Sequence, residues 1–186
     1  MKTIRIIVSL FSISLGAAAF AQSHEHVSAP AAPATDAQKS FAQLKTLAGK
    51  WEGPIDMGPM GKDKMEVSLR VTSRGNALVH EMKGAGKPDD PAKYDHPVTM
   101  FYLDDDRLLL THYCDAGNRP RMVARSSPDG KTVEFDFLDV AGSTKFGHMQ
   151  HAVFTIVDAD HHIEDWTYLM PGDKPMHGHA DLVRAK

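Results

Sequence analysis

The chain has one cysteine, Cys114, in 186 residues. A single thiol cannot close an internal disulfide, so the fold must rest on its apolar core. No block of basic residues stands out. The 21 Lys and Arg are scattered among 24 Asp and Glu, which argues against nucleic acid or an anionic membrane as partner. Long apolar runs are also missing. The longest, IIVSLFSISLGAAAF, lies near the N-terminus and is too short for an integral membrane span. There is no Gly-rich phosphate loop, no Gly-x-Ser-x-Gly elbow, no Cys-x-x-Cys, no His-x-x-x-His and no metalloprotease signature. The segment GAGKPDD lacks the spacing of a phosphate loop.

What stands at the N-terminus reads as a secretory signal. Lys2 and Arg5 supply a positive start, the apolar run follows, and Ala19-Phe20-Ala21 is a small-x-small cleavage site. The expectation is a signal peptide over 1–21 and a secreted or periplasmic mature chain beginning at Gln22. There is no lipobox cysteine for a lipid anchor. Cleavage leaves 19 basic against 24 acidic residues, a formal charge of −5. Residues 22–35, QSHEHVSAPAAPAT, are polar and rich in Ala and Pro. They read as a disordered linker carrying His24 and His26 as part of a solvated tail. Residues 36–186 are enough for one domain.

That domain begins with one helix. Thr35 or Asp36 can cap it, DAQKSFAQLKTLAGKW sets Phe41, Leu44, Leu47 and Ala48 on one side, and Gly49 suits the C′ position. The rest alternates with a period of two. KMEVSLRV sets Met65, Val67, Leu69 and Val71 against polar partners, and TVEFDFL does the same with Val133, Phe135 and Phe137. Turn signals such as SRGN, DAGN, SPDG and PGDKP separate about ten such runs. The expected fold is all-β: a ten-stranded antiparallel up-and-down barrel with one N-terminal helix, closed because closure removes the sheet edges. Two longer connections, residues 53–63 and 84–97, read as ordinary loops or as rims over a barrel mouth, with Met57 and Met60 as adaptable apolar contacts.

LAGKWEG at 47–53, followed by a meander and ended by Arg184, resembles the calycin barrels: lipocalins, fatty-acid-binding proteins and nitrobindin-like haem proteins. FAQLKTLAGKWEG with MFYLDDDRLLLTHYC and AGNRPRM is most similar to secreted bacterial lipocalin-like proteins of unknown function. The resemblance implies structural roles for Gly49, Trp51 and Arg184, with the arginine lying across the indole at the closed end. It also implies a small-molecule cavity. Two departures matter. Classical lipocalins often carry disulfides, and fatty-acid-binding proteins carry two lid helices, of which this sequence has none.

All eleven histidines lie beyond the signal segment. His80, His112, His148, His151, His162, His177 and His179 fall on strands. Period two groups His177 and His179 with Asp181 and Val183, His162 with Glu164, Trp166 and Tyr168, His151 with Met149 and Val153, and His112 with Leu108, Leu110 and Cys114. Three readings follow. In the first, a small apolar molecule sits in the barrel against Tyr102, Phe135, Phe137, Met149, Trp166 and Tyr168, with His112, Arg121, His151, Glu164 and His179 as polar contacts. In the second, His151, Glu164 and His179 hold a transition metal, or His177 or His179 holds haem as in nitrobindin-like barrels. In the third, a barrel enzyme, an isomerase or hydrolase, works through His112 or His151. Binding is favoured over catalysis, and neither haem nor metal is favoured as cofactor. Cys114 and His112 sit about 7 Å apart along one strand face, too far for a nucleophile and its base, so Cys114 reads as inert.

Overall fold

In the computed structural model the described residues are 33–90, 92–125 and 130–186. The signal segment 1–21 and most of the linker, with His24 and His26, lie outside them. Residues Ala34–Lys186 form one compact unit. The order is helix α1 (Asp36–Lys45), then strands β1 (Gly49–Asp56), β2 (Lys62–Thr72), β3 (Ala77–Gly84), β4 (Val98–Asp104), β5 (Arg107–Tyr113), β6 (Arg119–Arg125), β7 (Thr132–Ala141), β8 (His148–Asp158), β9 (His161–Met170) and β10 (Lys174–Arg184). Each strand pairs antiparallel with the next, and β1 pairs with β10, so the sheet closes into a ten-stranded barrel. No helix among the described residues is long and apolar enough to cross a membrane.

The helix starts on a capping box. The Thr35 hydroxyl accepts from Gln38 N–H, and the Gln38 side chain accepts from Thr35 N–H. It ends at Lys45, earlier than the periodicity suggests. Leu47 and Ala48 donate to carbonyls three residues back, which tightens the last turn. Gly49 is therefore not the C′ residue. It opens β1 with φ +145°. A Cβ there would lie 2.4 Å from Arg184 Nη1, so conformation and close approach both demand glycine.

The helix closes one end of the barrel with Phe41, Leu44 and Leu47 buried. At that end the Arg184 guanidinium lies 4.1 Å from the Trp51 ring centroid. Arg184 also donates to the carbonyls of Ala48 and Ala159, at 3.0 and 2.7 Å, while Trp51 Nε1 donates to Leu47 O at 2.8 Å. The cation stabilises the indole face while its donors satisfy carbonyls just before β1 and in the β8–β9 turn. Above this pair the interior is packed with Phe101, Phe135 and Phe154, centroids 5.3 to 6.1 Å apart.

Three bulges break the period-two pattern. On β7, Arg121 faces Asp139 but Met122 faces Phe137, so Leu138 is extra. On β8, Met149 faces Tyr168 and His151 faces Thr167, so Gln150 is extra, and Ile156 faces His162 while Asp158 faces His161, so Val157 is extra. Each bulge flips the side chains beyond it to the other wall.

Candidate ligand-binding site

The end opposite the helix is open. The β1–β2, β3–β4, β5–β6, β7–β8 and β9–β10 connections surround a cavity of about 580 Å³ there, within the range of small-molecule sites. Its wall is rich in thioether. Met57, Met60, Met65, Met82, Met149, Met170 and Met176 all line it, seven of the chain's ten methionines. Ile55, Tyr94, Phe146, Trp166 and Tyr168 add apolar and aromatic area. Both long connections take part: Met57 and Met60 come from the first, Tyr94 and Asp95 from the second. Methionine is unbranched and polarisable, so such a wall adapts to its occupant.

His112 and Trp166 are the polar-capable groups deepest on this lining. His112 is 2% exposed, and its Nδ1 lies 2.8 Å from the hydroxyl of fully buried Thr99. Its ring centroid is 5.7 Å from that of Trp166. Among the described residues Nε2 has no hydrogen bond, yet it is not one of the sealed orphan atoms. It is the ring nitrogen left open. Burial, followed by the neighbouring His80, pushes the His112 pKa down to about 4, so the ring is neutral at physiological pH.

Beneath Trp166 lies a buried carboxylate. Glu164 is fully enclosed and accepts from three N–H groups: His80 Nε2 at 3.1 and 3.0 Å to its two oxygens, His162 Nε2 at 3.0 Å, and Trp166 Nε1 at 3.1 Å. Burial alone raises a carboxyl pKa, but the electrostatic pull of His80 and the N–H bonds from both histidines outweigh it. Glu164 is held well below the ordinary carboxylate range. His162 in turn meets Trp51 edge-on, centroids 4.3 Å apart, which joins this cluster to the closed end. His80 and His162 were not among the residues expected at the site. Their strand faces carried the signal, since His80 alternates with Leu78 and Met82, and His162 with Glu164.

At the rim, Asp95 from the β3–β4 connection meets Asp115 from the β5–β6 turn. Half-burial, then the hydrogen bond and negative charge of Asp115, raise the Asp95 pKa to about 7. Tyr168 donates to Phe146 O at 3.0 Å, and burial pushes the Cys114 thiol up, as for an inert cysteine.

The other expected site residues are distributed differently. Phe135 faces inward but belongs to the packed core below the cavity, and Phe137 packs on His148 with centroids 4.9 Å apart. Tyr102, Arg121, His151, His177 and His179 lie on the outer wall. Tyr102 bonds Thr111 at 3.1 Å, and Arg121 forks onto Asp139. His177 Nδ1 reaches Thr167 at 3.1 Å, and His179 Nδ1 reaches Asp165 at 2.6 Å. The expected metal set of His151, Glu164 and His179 is therefore not brought together, because Glu164 is inside and both histidines are outside. The β8 bulge explains His151, and on β10 it is Met176 and Gly178 that face the cavity. The expected haem histidines, His177 and His179, do not reach the interior. Among the described residues one three-ligand group has metal-like spacing, Glu134, Asp136 and His151, with ligand atoms within 4.8 Å of one another. It sits on the outer wall, where Asp136 also pairs with Arg125.

No protein-family profile and no curated protein sequence matches the chain. Solved structures do. The crystal structure of Rv2717c from M. tuberculosis aligns with a TM-score of 0.56 at 15% identity, covering 79% of this chain and 98% of that one. The chain shares its barrel fold with Rv2717c. At that identity the likeness concerns architecture alone. A protein of unknown function from the DUF3598 family of Nostoc punctiforme also aligns, at 7% identity and a TM-score of 0.23, over 78% of this chain and 98% of that one.

Proposed function

We propose that this chain is a secreted or periplasmic binding protein of calycin type that holds a small, mostly apolar molecule in the cavity at the open end. The observation that carries the reading is the convergence of seven methionines, from several strands and connections, on one cavity. Such a concentration of adaptable apolar side chains, with few polar groups deep inside, suits reversible capture of an apolar guest. Catalysis has less support. The deepest polar groups are a neutral histidine and an indole N–H already committed to Glu164, and Cys114 and His112 make no bond with one another.

The test is native mass spectrometry of the untagged mature protein from its secreted fraction, beside an Ala116→Trp variant that fills the rim. The expected result is an organic adduct that the variant lacks, on a chain whose N-terminus is Gln22. A haem-mass adduct, or an adduct that persists in the variant, overturns the reading. So does a bare chain that also fails to take up the neutral dye Nile red.

A further inference from the structure

The hydrogen bonding of Thr99 fixes what His112 offers to the cavity. Thr99 is fully buried, and its hydroxyl has one partner among the described residues, His112 Nδ1 at 2.8 Å. Two arrangements fit that contact. If Nδ1 carried the ring proton and donated to Thr99, the hydroxyl hydrogen would be sealed in the protein with no acceptor. If Thr99 donates to Nδ1, both groups are satisfied and the ring proton sits on Nε2. The second arrangement leaves no orphan. It makes Nε2–H a donor opening on the cavity. It does not leave a lone pair there, which a metal ion or haem iron would need.

The surrounding charges decide what that donor accepts. Below it lies the carboxylate of Glu164, whose oxygens are already taken by His80, His162 and Trp166 and so do not compete for a guest. At the rim Asp63 and Asp115 stand beside Lys64 and Lys87, and among the described lining residues no Lys or Arg reaches the floor. A carboxylate head-group carried down to His112 would lose its water with no Lys or Arg beside it to pair with. An ammonium head-group has no lone pair to offer an N–H donor.

We infer that the cavity selects an uncharged apolar molecule bearing one hydrogen-bond-accepting oxygen, such as an alcohol, aldehyde, ketone or ester, with that oxygen on His112 Nε2–H. This rests on the cavity reading above and narrows it to a ligand class. His112 is the specificity-determining contact, and Thr99 is a positioning residue that holds its tautomer.

The experiment has two parts. Long-range ¹H–¹⁵N correlation of the imidazoles in the full mature protein reports the tautomer without any ligand. The expected signature is a protonated Nε2 and an unprotonated Nδ1 for His112, and a protonated Nδ1 overturns the inference. Calorimetric titration with dodecan-1-ol below its solubility limit, and with dodecanoate and dodecylamine below their micelle concentrations, then reports the class. The alcohol should bind at least tenfold more tightly than either charged probe. His112→Gln, which keeps an N–H donor, should retain that preference, and His112→Phe should abolish it. Equal or tighter binding of dodecanoate or dodecylamine sinks the inference while leaving a binding cavity in place. If none of the three binds, the inference also falls, and Nile red uptake decides whether the binding reading falls with it.

Discussion

Both carboxylate oxygens of Glu164 lie within hydrogen-bond distance of a single atom, His80 Nε2, at 3.1 and 3.0 Å. The two residues are 84 positions apart, on β3 and β9, so this contact spans the barrel interior rather than a hairpin. With His162 and Trp166 it surrounds one buried charge with donors. Removing the carboxylate leaves three buried N–H groups without an acceptor. Glu164→Ala should lower unfolding free energy by about 3–5 kcal/mol, the usual cost of breaking a buried charged network. Glu164→Gln should cost less, because the amide oxygen still accepts. The pKa sign follows from burial being outweighed by His80 and His162. A depressed folded pKa gives stability that is present above the ordinary carboxylate range and is lost as pH falls through the folded value. Urea unfolding of the wild type and both variants from pH 7 to 3 tests this, and a wild-type acid limb no steeper than that of Glu164→Gln would contradict it.

His112 and Asp95 pull stability in opposite directions across one pH window. The folded pKa of His112 is pushed from 6.5 to about 4 by burial and His80. Between those values the unfolded chain takes up a proton that the fold refuses, so stability falls as pH drops, by up to about 3 kcal/mol in all. The folded pKa of Asp95 is raised from 3.8 to about 7 by half-burial and Asp115. There the fold keeps a proton that the unfolded chain gives up, so stability falls as pH rises. The wild-type profile should be flatter than either contribution. Asp95→Asn should make stability rise with pH between 4.5 and 7, and His112→Gln should make it fall. Parallel profiles for the two variants would refute both assignments.

Much of the architecture was legible in the sequence, because apolar alternation and turn residues are local signals. The helix with its Thr35 cap and the ten strands follow from short stretches, whereas the Trp51–Arg184 pair follows only from the resemblance to calycin barrels. The site was less legible. Period two correctly groups His162 with Glu164 and Trp166, but it groups His151 with Met149, and the extra Gln150 separates them. No local pattern announces a bulge. The His80–Glu164 contact was hidden for a different reason: strands distant in the meander face each other across a barrel, and hairpin reasoning sees only neighbours. The methionine wall was hidden too, since its members are spread from residue 57 to residue 176 and meet only at the open end.

Gly49 and Arg184 should be energetically coupled. An alanine at 49 meets Arg184 Nη1 at 2.4 Å and must also hold φ +145°. Gly49→Ala should cost about 1–3 kcal/mol, as strained backbone with a close contact does. Arg184→Ala removes the cation from Trp51 and uncaps Ala48 O and Ala159 O, a loss of similar size. In the Arg184→Ala background the clash is gone and the backbone strain alone remains, so Gly49→Ala should cost less there. A double-mutant cycle by urea unfolding measures the difference, and strict additivity would refute the coupling.

The outer-wall histidines should be silent in binding. His151 lies against Glu134 and Asp136, and His179 against Asp165, all away from the cavity. His151→Ala and His179→Ala should leave Nile red affinity unchanged within twofold. A larger loss in either would place the guest outside the barrel.

Oxidation should close the cavity to apolar guests without unfolding the barrel. A peroxide transfers one oxygen to a thioether sulfur and leaves as water or alcohol, turning methionine into a polar sulfoxide. Met60 is 70% exposed and Met170 39%, so these react first. Met65 is 7% exposed and reacts late, and Met122, fully buried in the core, is spared. The first sulfoxides therefore appear at the mouth, where they make the wall polar while the packed layers beneath stay intact. Nile red uptake should fall in step with mouth oxidation mapped by peptide mass spectrometry. The far-ultraviolet circular dichroism should not change, and treatment with methionine sulfoxide reductases should restore uptake. Unchanged uptake with Met60, Met170, Met57 and Met176 all oxidised would mean that these thioethers do not form the wall that holds the guest.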